Sequence, residues 1–296
     1  VHGNEASSTE AAMQTLYELI VDKKLWLENT VVIIDPCVNP DGRDRYVNWY
    51  NQVKASPYDT NQNATEHKEP WPGGRPNHYL FDLNRDWVWA SQVETKQRLK
   101  LYNQWMPHIH VDFHEQGINE PYYFAPAAEP FHEVISDWQR KFQLQIGKNH
   151  AKYFDREGWL FFTRERFDLL YPSYGDTYPT FMGAIGMTYE QAGHGRAGLG
   201  IDNDEGTKLT LVDRIKHHTT TSLSTIEISS QNAKKLNEEF SQYFKNDHLN
   251  YKSYVLNGNI DHKKKLTNLL NLHDIKWGYS INNSISGFRY EIQKKG

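Results

Sequence analysis

The sequence predicts a layered α/β fold, because short apolar runs alternate along the chain with segments of helical periodicity. Residues 30–35 (TVVIID) form a continuous β-branched run that is typical of a buried strand, and residues 109–113 form a second such run. Leu16, Leu19 and Ile20 recur at the spacing of one helix face. Strands that alternate with helices favour helices packed on the faces of one sheet.

The predicted elements can be placed in chain order. Ser-x-x-Glu capping boxes at Ser7–Glu10 and Ser91–Glu94 mark the starts of two helices. The other signals are apolar periodicity and turn residues. They predict a helix over 8–23, a strand over 30–35, a turn at 39–42, a long loop over 43–81, a helix over 91–105, strands at 109–113 and 122–125, helical periodicity over 130–156, a strand over 183–189 and helices over 204–244.

A polar break at 246–250 predicts a domain boundary. The larger domain, 1–245, is followed by the beginning of a second, small α/β domain over 246–296. In this second domain we expect strands at 254–256, 276–281 and 288–292 and a helix at 263–272. The metal motif described below begins at residue 2, with no strand before it. We therefore expect the sequence to be a fragment cut inside a domain, without the first strands of its sheet.

Composition narrows the function classes. The 296 residues are 38% hydrophobic and 24% charged, as in globular proteins. The net charge of −4 does not favour nucleic acid as a partner, and no run of 18 apolar residues predicts a membrane span. The single cysteine, Cys37, excludes an internal disulfide. The compartment and the oligomeric state stay open, with a secreted or periplasmic location favoured.

Three residues are candidate metal ligands. His2 and Glu5, separated by two residues, can bind one metal ion from a single turn. His114 is the candidate third ligand, because it follows a predicted buried strand, and α/β folds place functional groups at the carboxyl ends of strands. Three protein ligands with one open position are typical of catalytic zinc, so we expect one Zn²⁺ per chain.

The motifs HGNE, NPDG, DLNRDW, DFHEQG and TYEQAG occur in this order over roughly residues 1–244. In this set the chain resembles the zinc metallocarboxypeptidase family, the group of the pancreatic carboxypeptidases A and B. The resemblance implies a three-layer α/β/α fold with a mixed central sheet. It also implies that His2, Glu5 and His114 are the zinc ligands, and that Asp82 accepts a hydrogen bond from the first ligand histidine.

The resemblance further implies how the substrate is held. Asn84 and Arg85 match the pair that binds the substrate's terminal carboxylate, which suits a planar guanidinium. Asp86 follows them where the family more often has Asn. The arginine that polarises the scissile carbonyl is matched by Arg75, with Arg43 and Arg45 as alternatives.

Glu190 matches the general base of the family, which activates the attacking water. Glu115 is the alternative by proximity to His114, but neighbouring residues of a strand point to opposite faces. The tyrosine that covers the bound substrate is matched by Tyr178, with Tyr171 and Tyr174 as alternatives.

The function implied is a zinc-dependent carboxypeptidase that hydrolyses the C-terminal bond of a peptide with a free carboxylate. One alternative is a relative acting on another acyl-amine that carries a carboxylate, such as a cell-wall peptide. Another is a non-catalytic peptide-binding module, which the complete set of ligands and base disfavours. A structural zinc protein would need a fourth ligand, for which Cys37 is the candidate.

The pocket for the terminal side chain depends on which tyrosine covers the site. If it is Tyr178, the pocket floor falls near Ile185, between Tyr178 and Glu190, and we expect apolar or aromatic C-terminal residues to be preferred over Lys and Arg. If it is Tyr171 or Tyr174 instead, the carboxylate of Asp176 can line the pocket.

Overall fold

The computed structural model describes residues 1–245, 253–281 and 286–287, and it divides the chain into two compact units, Val1–Tyr254 and Val255–Gly296. Among the described residues, no helix is both long enough and apolar enough to cross a membrane. The helices of the first unit are α1 (Ala6–Val21), α2 (Pro40–Val53), α3 (Val93–Trp105), α4 (Asp137–Glu157), α5 (Thr177–Phe181), α6 (Leu211–Gln231) and α7 (Ala233–Tyr243). Its strands are β1 (Ile109–Gln116), β2 (Tyr122–Tyr123), β3 (Phe161–Phe162), β4 (Ile185–Ala192), β5 (Gly200–Asp202) and β6 (Lys208–Thr210).

The central sheet has four strands in the order β1-β4-β2-β3. β1 and β4 are parallel over eight residue pairs, β4 and β2 are antiparallel, and β2 and β3 are parallel. A separate antiparallel ribbon joins β5 and β6. The sheet is thus mixed, and the predicted fold class, helices around a mixed sheet, is confirmed.

Hydrophobic clusters cover both faces of this sheet. One cluster joins residues of β2 and β4 to α4, as in Phe142, Ile146 and Met187, and Ile228 of α6 packs against it. On the other face, a second cluster joins α3 and α5 through Tyr102 and Tyr178, and its Tyr102 packs edge-on against His110 of β1. The sheet is therefore the middle of three layers.

Strand alternation separates functional from structural side chains. Asp112, His114 and Gln116 lie at alternate positions of β1, while Phe113 between them packs edge-to-face on Tyr189 of β4 in the core. Because β1 and β4 run parallel and in register, His114 lies directly opposite Glu190. The polar face of these two strands becomes the site.

The predicted strand at 30–35 is wrong for this structure. Those residues form no strand, and Val31 and Ile33 are 70% and 57% exposed. A β-branched run favours an extended chain, but a strand also needs a hydrogen-bonded neighbour. β4 is the only strand that pairs with β1 within the described residues, so residues 30–35 do not extend the sheet.

The structure also differs from the expected turn and from the expected helix caps. Residues 40–53, expected as a turn and loop, form α2, because Asn39 caps it and Pro40 occupies its first turn. Ser7 and Ser91 do not cap helices; the Ser7 hydroxyl donates to Glu115 and the Ser91 hydroxyl to Asp86. These hydroxyls therefore bind carboxylates elsewhere in the fold and do not bind the backbone of the first helical turn.

The second unit contains one helix in its described part, α8 (Ile260–Leu272), which matches the predicted helix. The strands expected at 254–256 and 276–281 are absent from these described residues. The strand expected at 288–292 lies outside the described residues.

Gly147 of α4 gives a test of the packing between this helix and the sheet layer. A Cβ at this position would lie 2.2 Å from the carbonyl oxygen of Ala125. Gly147→Ala should therefore destabilise the protein by about 1–3 kcal/mol through overpacking, although alanine normally favours helices. Chemical denaturation measures this, with the exposed Gln145→Ala as the matched control. A Gly147→Ala variant as stable as that control would contradict the close packing.

Candidate metal centre

Two segments meet to bring the candidate metal ligands together. The turn before α1 carries His2 and Glu5, and the carboxyl-terminal half of β1 carries His114. The His2 Nδ1 lies 2.7 Å from Glu5 Oε1, and the His114 Nδ1 lies 3.0 Å from Glu5 Oε2 and 3.2 Å from the His2 Nδ1. All three residues are buried, and they form the one group of potential metal ligands among the residues that the structure describes.

A carboxylate lies at the outer nitrogen of each ring. The His2 Nε2 is 3.0 Å from Asp82 Oδ1, as the resemblance implies for Asp82. The His114 Nε2 is 2.9 Å from Asp112 Oδ2. Carboxylates at both Nε2 atoms favour the tautomers in which each Nδ1 presents its lone pair to the centre.

This donor set fits zinc. Two nitrogens bound to one zinc ion at about 2.0–2.1 Å lie roughly 3.3 Å apart in a tetrahedral site, close to the observed 3.2 Å between the two Nδ1 atoms. Both nitrogens and the two carboxylate oxygens of Glu5 face one another. A cation between them would satisfy both lone pairs and the carboxylate of Glu5.

The charges around the centre favour a cation. Burial disfavours ionised Glu5, but His2 and His114 outweigh this and hold its pKa well below the usual value. Burial also disfavours charged His114, but Asp112 and Glu5 raise its pKa well above the usual value. The pKa of Asp82 is lowered, against the effect of burial, by His2 and Arg75. Carboxylates therefore surround the two rings, and a positive charge is stabilised between them.

Glu190 lies in the same cavity, which has a volume of about 390 Å³. It follows Tyr189 on β4, and the parallel register places it opposite His114. Burial raises the pKa of its carboxyl to about 8, with His114 acting in the opposite direction and Glu5 adding to the rise. Glu190 thus has the proton affinity of a group that can take up and release a proton near neutral pH.

Glu115, the alternative base, also borders the cavity, but its carboxylate is bound by groups of α1 and α6. Its carboxylate accepts hydrogen bonds from the Ser7 backbone N–H at 2.9 Å and from the Arg214 guanidinium at 3.0 Å. Glu115 and Arg214 are both buried, so the pair connects β1 to α1 and α6. This arrangement favours Glu190 over Glu115 as the group that faces a substrate.

Of the three candidate arginines, only Arg75 lines the cavity. Its Nη2 lies 2.9 Å from Asp82 Oδ2, and its Nη1 lies 3.7 Å from Glu5 Oε1. Arg43 instead pairs with Glu10 of α1, and Arg45 donates to backbone carbonyls of the 73–77 loop. The structure therefore brings Arg75, and not the alternatives, to the metal ligands.

Asn84 and Arg85 lie on the same cavity wall. Asn84 Oδ1 accepts from the Gly175 N–H at 2.7 Å, which orients the amide. The Arg85 guanidinium is 46% exposed and lies 4.5 Å from the ring centre of Tyr174. Arg85 is thus available to a ligand at the rim of the cavity.

Tyr178 is not brought to the cavity. It is 4% exposed, stacks on Trp87 and packs edge-on against Tyr102 in the second hydrophobic cluster. Tyr174 lines the cavity, and Tyr171 packs against Tyr174 and accepts from the Trp89 indole. This placement does not support Tyr178 as the covering residue and favours the alternative Tyr174.

The residue expected at the floor of the side-chain pocket also changes when Tyr174 replaces Tyr178 as the covering residue. Ile185 is buried in the first hydrophobic cluster, among residues of α4, and does not line the cavity. Asp176 does line it, together with Thr188 of β4. The structure thus favours the second of the two arrangements considered from the sequence.

Asp112 is the residue that sequence reasoning missed. Its signal was available, because Asp112 and His114 are two residues apart on one strand and therefore share a face. The missing information was that a His114 nitrogen would turn toward that aspartate. Side-chain rotation is not readable from strand periodicity.

Comparison with solved structures shows the same fold. A metallo-carboxypeptidase from Burkholderia cenocepacia and a putative carboxypeptidase from Burkholderia mallei ATCC 23344 each superpose with a TM-score of 0.50 and 12% sequence identity, covering 78% of this chain. The chain spans 56% and 55% of the length of those two structures.

Sequence comparisons give the family. No curated protein sequence matches the chain significantly. The family model described as zinc carboxypeptidase matches residues 1–192, well over half of the chain, including all three candidate ligands and Glu190. The chain belongs to the zinc carboxypeptidase family.

Proposed function

We propose that this protein is a zinc-dependent carboxypeptidase that hydrolyses the C-terminal peptide bond of peptides. One observation supports this most strongly: a single cavity is lined by the three candidate zinc ligands, by Glu190 and by Asn84 and Arg85. Metal, proton acceptor and carboxylate-binding groups are thus within reach of one small ligand.

His2, Glu5 and His114 would hold one zinc ion. Zinc with an open position supplies Lewis acidity and lowers the pKa of a bound water. Asp82 and Asp112 keep the two imidazoles oriented and increase their basicity.

Glu190 is assigned as the general base. Its carboxyl accepts the proton of the attacking water and returns it to the leaving amine, so one group serves both proton transfers. Its raised pKa, about 8, arises mainly from burial. A divalent cation bound at His114 would lower that value and keep Glu190 ionised before the attack.

Arg75 is assigned to the developing negative charge on the scissile carbonyl oxygen. Its guanidinium borders the ligand group, and Asp82 orients it through hydrogen bonds to Nε and Nη2. Asn84 and Arg85 are assigned to bind the terminal carboxylate of the substrate. Binding there fixes the distance between the end of the peptide and the metal ligands. This arrangement favours removal of a single terminal residue.

The partner implied is a peptide with a free C-terminal carboxylate. The same groups would also accept another acyl-amine that carries a carboxylate there, so this remains the alternative substrate class. A structural zinc site is disfavoured, since Cys37 is not part of the ligand group among the described residues.

The first prediction concerns metal content. Purified protein loaded with zinc should contain one zinc ion per chain, and His114→Ala should lose it, because two ligands remain. Elemental analysis after dialysis measures this. The exposed His78→Ala is the matched control and should retain zinc. Two tightly held zinc ions per chain, or zinc retained by His114→Ala, would contradict the assignment.

The second prediction concerns the general base. Glu190→Gln should retain zinc and lose roughly 10²–10⁴-fold in kcat, because a general base contributes about that factor. Glu115→Gln should mainly lower thermal stability, since Arg214 would lose its ionised partner. Kinetics and thermal unfolding on both variants separate the roles. An inactive but folded Glu115→Gln beside a fully active Glu190→Gln would reverse the assignment.

The third prediction concerns the chain end. Arg85→Ala should reduce kcat/KM for free-acid peptides by roughly ten- to a hundredfold, because a hydrogen bond to a charged group contributes about 1.5–3 kcal/mol and Arg85 is half exposed. Peptides amidated at the C-terminus should be poor substrates of the wild type and should lose little more in the variant. Equal cleavage of acid and amide peptides by the wild type would rule out the carboxypeptidase assignment.

A further inference from the structure

A carboxylate outside the cavity holds the turn that carries two of the metal ligands. Glu69 lies in the segment between α2 and α3 and is half-buried. Its Oε2 accepts a hydrogen bond from the Asn4 amide at 2.7 Å. Asn4 lies between His2 and Glu5, in residues 2–5, which we call the ligand turn. Glu69 neither lines the cavity nor belongs to the ligand group, so the proposed reaction gives it no role.

The same carboxylate reaches the segment that carries Arg75. Glu69 Oε1 accepts from the backbone N–H of Gly74 at 2.5 Å. The Gly74 carbonyl in turn accepts from the backbone N–H of Gly3, in the ligand turn, at 2.9 Å. Gly74 directly precedes Arg75, which is assigned to the carbonyl oxygen of the substrate. Glu69 therefore joins the ligand turn to the segment that presents Arg75.

Close packing of the backbone encloses this junction. A Cβ on Gly195, in the segment after β4, would lie 2.6 Å from both Asn4 Nδ2 and Glu69 Oε2. A Cβ on Gly74 would lie 2.6 Å from the carbonyl oxygen of Gly42, at the start of α2. Two further segments thus press on the hydrogen-bonded pair, and they restrict both side chains to this geometry.

Glu66, three residues before Glu69, is a carboxylate with a different set of partners. It is 1% exposed and accepts from the Tyr50 hydroxyl at 2.9 Å. It also accepts from the backbone N–H groups of Ala55 at 2.7 Å and Asp59 at 3.2 Å. None of these donors belongs to the ligand turn. Glu66 is therefore a matched control for the stability of this segment.

We propose that Glu69 is a positioning residue that fixes the ligand turn relative to the guanidinium of Arg75. The proposal rests on the carboxypeptidase function proposed above. An ionised carboxylate has two acceptor oxygens, so one side chain can hold the Asn4 amide and the Gly74 N–H at the same time. Glu69 does not contact the reacting atoms, and its effect reaches them through the metal ligands and Arg75.

Zinc affinity tests the contact with the ligand turn without any turnover. Glu69→Ala and Asn4→Ala should each bind zinc roughly tenfold more weakly in competition with a chelator, the lower end of the effect of an outer-shell partner. Glu66→Gln should lower the temperature of thermal unfolding but keep the wild-type affinity. A Glu66→Gln variant that binds zinc as weakly as Glu69→Ala would overturn the specific role of Glu69.

An exchange of the two groups tests the hydrogen bond itself. In Asn4→Asp/Glu69→Gln, the glutamine amide can donate to the carboxylate at position 4, and its oxygen can still accept from Gly74. Charge and hydrogen bonds are both retained, so this double variant should recover close to the wild-type zinc affinity. A double variant as weak as Asn4→Ala would overturn the proposal. This comparison does not require Glu69→Ala to fold.

Steady-state kinetics at saturating zinc test the link to Arg75. Arg75 is assigned to charge that develops in the transition state, whereas Asn84 and Arg85 also bind the substrate before the reaction. Glu69→Ala should therefore lower kcat by roughly tenfold and change KM little. A raised KM with unchanged kcat would overturn the link to Arg75.

The two proposals can fail separately, because zinc binding is measured without a substrate. A wild type that cleaves no peptide, beside a Glu69→Ala variant with weakened zinc binding, would overturn the catalytic function and support the role of Glu69 at the ligand turn. An active wild type beside a Glu69→Ala variant with unchanged zinc affinity and kcat would overturn the role of Glu69 and leave the carboxypeptidase function standing.

Discussion

The candidate site depends on the parallel, in-register pairing of β1 with β4. This pairing sets His114 opposite Glu190 and Asp112 opposite Thr188. A shift of either strand by one residue would turn that strand's polar side chains to the hydrophobic face, where Phe113 and Tyr189 now pack. The packing of α4 against the sheet thus protects the chemistry on the other face, because it makes any other register costly.

The second constraint is the compensation of charge. Glu5, Asp82 and Asp112 surround two buried imidazoles, which are neutral when they bind a metal, so these carboxylates favour a cation between the rings. Glu115 next to His114 is compensated separately by Arg214.

Most residues of the candidate site could be predicted from the ordered sequence motifs, because the spacing of ligands within a turn and the position of a strand end are local properties of the sequence. His2, Glu5 and His114 meet as expected, and Asp82 reaches the ring it was assigned to. The features that could not be predicted from the sequence depend on tertiary contacts. Residues 30–35 have strand composition but no paired neighbour, and Tyr178 has the right residue type but packs against Trp87. Both cases depend on contacts that a one-dimensional pattern does not contain.

The turn that carries His2 and Glu5 and the end of β1 are proposed to hold one catalytic zinc ion between them. X-ray absorption spectroscopy at the zinc edge of the loaded wild-type protein identifies the ligands of that ion. Two imidazole nitrogens at about 2.0–2.1 Å, carboxylate oxygen at about 2.0–2.2 Å and a further light atom from water are expected. A sulfur ligand at about 2.3 Å, which only Cys37 or a methionine could supply, or a closed shell of four protein ligands, would contradict this proposal.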